Sequence, residues 1–184
     1  MSKKAIVLLA EGFEEIEAVT PIDVLRRAGA QVTLAGLGSL TVTGAHGVTY
    51  AACIDVSQAL DHTYDLIVFP GGMPGAKNLG DSAEARALAE KNLAEGRLVA
   101  ALCAAPVMTL GAWGLLDGRK ATCYPGMEGM FPGSVTFVAD RVVTDGDIIT
   151  SRGPGTALEF SITLAGRLFG ERVSKQLAEG MLLK

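Results

Sequence analysis

Imidazole is scarce in this sequence of 184 residues, where only His46 and His62 carry it. Cysteine is nearly as scarce, with three copies at Cys53, Cys103 and Cys123. No CxxC pair and no Cys/His cluster occurs, so a zinc site is not expected, and an odd, widely spaced set is no disulfide framework. That usage fits a reducing, cytoplasmic setting. Clusters of Lys and Arg are missing as well, and the net charge is -4. Nucleic acid and anionic membrane surfaces are therefore excluded as main partners. No apolar run approaches the roughly 18 residues of a membrane span. The opening "MSKKAIVLLAEGFEE" turns acidic after Ala10 and is read as a first strand rather than an export signal. Repeats, low-complexity tracts and linkers are also absent.

What is present is a core. Hydrophobic residues make up 49% of the chain and charged residues 20%, which places it among globular proteins, and the length predicts a single domain over residues 1–184. Strand and helix patterns alternate. "KAIVLLA", "QVTLAGL", "YDLIVFP" and "RLVAALC" read as strands, the last two buried on both faces. "GVTYAACID" alternates like a strand. "FEEIEAVTPIDVLRRAG" and "APVMTLGAWGLL" read as helices, and "DSAEARALAEKNLAEG" as one capped by Asp81 or Ser82 and stopped by Gly96. "GGMPGAKNLG" reads as a loop and "RVVTDGDIITS" as a hairpin turned at Asp145-Gly146. "GTALEFSITLAGRLFG" and "ERVSKQLAEGMLL" close the chain as helices. The pattern predicts an α/β fold with a mainly parallel sheet covered on both faces. Ligands bind such sheets outside the carboxyl ends of the strands. Three loops fall there, "EGFEE", "PGGMPG" and "CAAP", so Glu14–Glu17, Gly71–Gly72 and Cys103 are expected to converge.

Cys103 follows a strand, and Pro106 suits the first turn of a helix. At a helix N-terminus the dipole and free N–H groups would lower the thiol pKa from about 8.5. Ala104 and Ala105 would permit a sharp turn of the kind that raises a nucleophile. Cysteine is also a frequent buried core residue, and position alone leaves both readings open. Cys53 and Cys123 lie in or beside strand-like runs and read as core. His46, in "TGAHGV", and His62, in "LDHTYD", read as solvated, so a papain-type Cys–His pair has no support.

Glu17 shares a helix side with Phe13, Ile16, Thr20, Val24 and Ala28, while Glu15 and Arg26 lie roughly opposite. A carboxyl on an apolar side has a raised pKa and can stay protonated, able to donate to a sulfur or to shuttle a proton. Acids near a helix start also have a plain dipole explanation. The "PGGMPGAKNLG" glycines could aim N–H donors at an oxyanion or simply form a turn. The loop is neither a dinucleotide fingerprint nor a Walker A loop, because GxGxxG and GK[ST] are both missing.

Together, "LAEGFEEIEAVTPIDVLRRAG", "YDLIVFPGGMPGAKNL", "VAALCAAPVMTLG" and "TSRGPGTALEF" resemble the DJ-one/ThiJ/PfpI superfamily, closest to its DJ-one and YajL-like branch. The resemblance covers nearly the whole chain. It implies a flavodoxin-like three-layer sandwich with a cysteine elbow, and a homodimer. It implies a nucleophilic Cys103 hydrogen-bonded to a protonated Glu17, and N–H groups at Gly71, Gly72 and Ala104 lining the oxyanion site. Tyr124 and Arg152 would contact substrate, with Pro154 nearby. Members are described as glutathione-independent glyoxalases, as deglycases of glyoxal adducts, and as oxidation-sensing or chaperone-like proteins. No cofactor or metal is implied.

Three departures narrow this. Tyr124 stands where many members carry a histidine, and a neutral phenol with a pKa near 10 is no base at neutral pH. Ala104 replaces the histidine that follows the cysteine in the protease-like branch, which excludes proteolysis. Ala157 stands two residues before Glu159, so the His-x-Glu of class I amidotransferases is missing. The leading expectation is a Cys103-dependent glyoxalase or deglycase acting on methylglyoxal, glyoxal or their adducts, with Glu17 as proton shuttle. The alternative is a stress sensor or holdase whose Cys103 oxidises to sulfinate. A third is a binding module with a vestigial site.

Overall fold

A computed structural model describes residues 2–183. The first half contains β1 (Lys4–Leu9), α1 (Glu15–Arg27), β2 (Gln31–Gly36), the hairpin strands β3 (Thr41–Thr43) and β4 (Thr49–Ala51), β5 (Ile54–Asp55), α2 (Val56–Ala59) and β6 (Leu66–Phe69). Then come α3 (Gly75–Gly80), α4 (Ala83–Ala94), β7 (Leu98–Leu102), a π-helical turn Pro106–Gly111, β8 (Lys120–Ala121) and β9 (Thr136–Phe137). The chain ends with β10 (Val142–Asp145), β11 (Ile148–Ser151), α5 (Ala157–Phe169) and α6 (Glu171–Gly180).

Seven strands form one sheet in the order β10-β11-β7-β6-β1-β2-β5. All neighbours are parallel except β10 against β11. This is the flavodoxin-like α/β arrangement. From β1 the chain moves to one side for β2 and to the other for β6, so the carboxyl ends of β1 and β6 form the switch point where such sheets bind ligands.

Each strand feeds two cores, because successive side chains point to opposite faces. Ile6 and Leu8 join Ile67, Phe69, Val99 and Ala101 under α2, α3 and α4, while Val7 and Leu9 join Val68, Ala100 and Leu102 under α1 and α5. The continuous apolar runs of β6 and β7 follow from burial on both sides. Ser82 caps α4, its hydroxyl accepting the Ala85 N–H at 3.1 Å, and Gly96 turns the chain beyond it with φ +64°.

Four expectations are corrected. "GGMPGAKNLG" is not all loop, since α3 occupies its second half. "APVMTLGAWGLL" forms no α-helix but a π turn, with Ala112 N–H donating to Val107 and Leu115 N–H to Leu110, five residues back. Close packing accounts for it, because a Cβ at Gly80 would stand 2.0 Å from the Met108 carbonyl oxygen. "GVTYAACID" splits into β4 and β5, which belong to different sheets. The β10–β11 turn residues are Gly146-Asp147, one position later than expected, since Asp145 already pairs with Ile148.

Candidate active site

The three loops predicted to meet do meet, and glycine is the reason they can. The Glu14 N–H donates to the Gly71 carbonyl at 2.9 Å. Gly72 has φ +85°, and a Cβ there would stand 2.3 Å from the Glu14 nitrogen. A Cβ at Gly71 would lie 2.6 Å from Cys103 Cβ and 2.7 Å from Glu17 Oε2. Gly71 is thus the bare wall between the acid and the thiol, and its N–H donates to Glu17 Oε2 at 2.8 Å.

Cys103 sits one residue past β7 with φ +63°, a region that side chains other than glycine rarely adopt. Its own backbone is held on both sides. Its N–H donates to Ser151 of β11 at 3.0 Å, and its carbonyl accepts the Tyr124 N–H at 2.8 Å. Such strain persists only where surrounding structure over-determines it, and it concentrates at functional sites. The side chain is mostly covered, at 9% exposure. The N–H groups of Gly72 and Ala104 face its sulfur and favour the anion.

Glu17 is fully buried. Burial pushes its carboxyl from 4.5 up to about 7, against the lowering pull of Cys103 and the Gly71 N–H. Its second oxygen, Oε1, has no hydrogen-bond partner among the described residues. The direction agrees with the sequence expectation, but the helix geometry differs. Glu17 lies at the edge of a buried arc formed with Ala18, Pro21, Val24 and Leu25. Ile16, expected on its side, faces outward at 54% exposure, and Thr20 is half-buried. Glu15, expected on the outer side, is buried.

The thiol itself departs from expectation. Burial, together with the charge of an ionised Glu17, pushes Cys103 up to about 12. The lowering by the Gly72 and Ala104 N–H groups does not prevail, because burial and the neighbouring Glu17 outweigh it. Like charges this close oppose one another, so the pair holds a single negative charge over a wide pH range. In that window the charge rests on the Glu17 carboxyl, the more acidic of the two groups.

A cavity of about 440 Å³ opens over the thiol, lined by Gly72, Met73, Cys103, Ala104, Tyr124 and Met127 among others. A larger hollow, of about 500 Å³, lies at the opposite ends of the strands around Lys3, Asp65 and Arg97. Among the described residues it is lined by no cysteine and no fully buried acid, so the Cys103 cavity is the candidate active site.

The sequence profile of the DJ-1/PfpI family matches residues 3–166. The chain belongs to that family. It is 41% identical over 184 residues to the Arabidopsis thaliana protein DJ-1 homolog B, covering 100% of this chain and 42% of that protein. It likewise spans 47% of the length of DJ-1 homolog A from the same plant. The Caenorhabditis elegans glutathione-independent glyoxalase DJR-1.2 is 34% identical over 182 residues, covering 98% of this chain and 97% of that protein. Among solved structures, oxidised Toxoplasma gondii DJ-1 superposes with a TM-score of 0.95 at 40% identity, covering 98% of each chain.

In this DJ-1/PfpI protein the remaining sequence-flagged residues are distributed unevenly. Tyr124, 47% exposed, forms one wall of the thiol cavity. Arg152 lies behind it, in an adjoining hollow of about 250 Å³ shared with Arg141 and Pro154. Its guanidinium reaches the Ala139 carbonyl, 3.3 Å away, rather than Cys103. Cys123 is buried as expected, whereas Cys53 is exposed, because it sits in the short link between β4 and β5 at the sheet edge. His62 is exposed. His46 is exposed too, but it is not isolated, since its Nδ1 lies 2.9 Å from Glu15 Oε2. Sequence reading missed that contact, and no local signal marks it, because the partners belong to a hairpin turn and a distant helix. Gly153 was also missed. A Cβ there would come within 3.4 Å of the Tyr124 ring and 3.8 Å of Glu17 Oε1. Among the described residues no helix is long and apolar enough to cross a membrane.

Proposed function

We propose that this protein is a cofactor-independent, glutathione-independent glyoxalase or deglycase acting on methylglyoxal, glyoxal or their adducts. The observation that carries the reading is the strained Cys103, facing an open cavity with a buried carboxyl of raised pKa against it. A glyoxalase-named relative at 34% identity supports it. Glu17 takes the Cys103 proton as sulfur attacks the aldehyde carbon, and the N–H groups of Gly72 and Ala104 stabilise the oxyanion. Glu17 returns its proton to that oxygen, giving a hemithioacetal. It then removes the hydrogen from the same carbon and delivers it to the neighbouring carbon through an enediol. The resulting thioester is hydrolysed by water, releasing lactate from methylglyoxal or glycolate from glyoxal and restoring the thiol. Tyr124 orients the substrate, and Arg152 borders its outer end. The protein works as a homodimer, with the exposed Ile16 and Val19 of α1 on the face available for pairing.

Proton NMR of methylglyoxal with wild type and Cys103→Ser tests this. Lactate is expected from the wild type alone, and retained turnover in Cys103→Ser refutes the mechanism.

A second reading is favoured by one observation: the described lining of the thiol cavity contains no imidazole. In that case Cys103 acts as a stress sensor, oxidising to sulfinate while a protonated Glu17 donates to it. Peroxide titration followed by intact mass separates the readings. Oxidation of Cys53 or Cys123 ahead of Cys103 removes the sensor reading.

A further inference from the structure

Away from the thiol cavity, three potential ligands converge from separate parts of the chain. Glu14 immediately precedes α1, Glu15 is its first residue, and His46 lies in the turn between β3 and β4. One donor atom from each lies within 4.8 Å of the other two. His46 Nδ1 is 2.9 Å from Glu15 Oε2 and 3.4 Å from Glu14 Oε2. In a tetrahedral zinc shell with bonds of about 2.0–2.1 Å, adjacent donors stand about 3.3 Å apart. The two measured spacings bracket that value.

The supporting contacts also suit a metal. Glu15 Oε1 accepts the His46 N–H at 2.7 Å and the Val48 N–H at 3.3 Å. Oε2 is thereby left facing the imidazole, the outer hydrogen bonding that orients a ligating carboxylate. The Glu14 side chain is only 12% exposed, and His46 is its only ion-pair partner among the described residues. Two carboxylates therefore face one imidazole, and a cation between the three donors would neutralise both. The His46 side chain is 70% exposed, so the remaining coordination position opens to water.

We propose that Glu14, Glu15 and His46 bind a divalent transition-metal ion of the zinc type through two carboxylate oxygens and one imidazole nitrogen. The ion would tie the β3–β4 turn to the start of α1. Glu14 also donates its N–H to Gly71, so the clamp would brace the glycine wall of the thiol cavity without touching Cys103. This site is independent of the glyoxalase reading.

Isothermal titration with Zn(II), using Cys53→Ser/Cys103→Ser protein in which the buried Cys123 is the one remaining thiol, tests it. One ion per chain is expected, with affinity at least tenfold lower after His46→Ala or Glu14→Gln. Zn(II) should raise the melting temperature of the parent and not that of the His46→Ala protein. The His46 side chain is 70% exposed, so its truncation is expected to leave the fold intact, and this variant decides alone if Glu14→Gln does not fold. Absence of binding by the parent, or unchanged affinity in His46→Ala, overturns the site.

Discussion

At Cys103 and its neighbours the geometry is decided by which atoms are missing. A side chain at Gly71 would occupy the space where Glu17 and Cys103 meet, and Leu102 leaves no room to retreat, its carbonyl oxygen 3.0 Å from the added carbon. Gly71→Ala should therefore cost about 1–3 kcal/mol, as overpacking does, and should abolish aldehyde turnover. A urea unfolding curve and the lactate assay check the two effects, and a fully stable, active Gly71→Ala protein would show the wall to be dispensable. The convergence of Cys103, Glu17 and Gly71 was legible because each lies in or just after one of the loops at the carboxyl ends of the strands. It did not reveal the pKa order. Burial of both groups is a property of the closed site, and it overrides the local effect expected at the start of a helix. His46 was likewise read correctly as exposed, but its pairing with Glu15 depends on a hairpin folding over α1.

Among the elements, α4 was the easiest to read because its start is chemical. Ser82 supplies the cap, and Ser82→Ala should destabilise the protein by about 1 kcal/mol. The rate of Cys103 alkylation should not change, since α4 lies outside the thiol cavity. Thermal melts and alkylation kinetics on the same sample test both halves of that statement. The segment after Cys103 was the hardest to read. Its composition suits an α-helix, yet the close approach of Gly80 to Met108 selects bonds five residues long. No pattern within the segment encodes that contact. α1 falls between these cases. Its period is clear, but its abundant apolar residues hide which arc turns inward: the pattern groups Glu17 with Ile16 and sets Glu15 opposite, whereas Glu15 and Glu17 are both buried and Ile16 is exposed.

For the whole molecule, the strand–helix alternation carried the architecture and the convergence of three loops at the strand ends. One consequence of that closure is a pH-dependent stability. Below about pH 4.5 Glu17 is protonated in folded and unfolded chains alike. As pH rises toward 7, the unfolded chain loses that proton while the folded one retains it, so stability falls through this window. Raising a carboxyl from 4.5 to about 7 corresponds to about 3–4 kcal/mol, at about 1.4 kcal/mol per pH unit. Glu17→Gln should match wild type near pH 4.5 and melt several degrees higher at pH 8, and equal melts at both pH values would contradict the buried acid. The central claim is that Cys103 gives its proton to Glu17. The most direct measurement is the pH dependence of Cys103 alkylation by iodoacetamide, located by peptide mass spectrometry, in wild type and Glu17→Gln. A rise with a midpoint near 7 in wild type, missing from Glu17→Gln, is the expected result. A single rise at the same pH in both proteins would mean that the thiol ionises without the carboxyl.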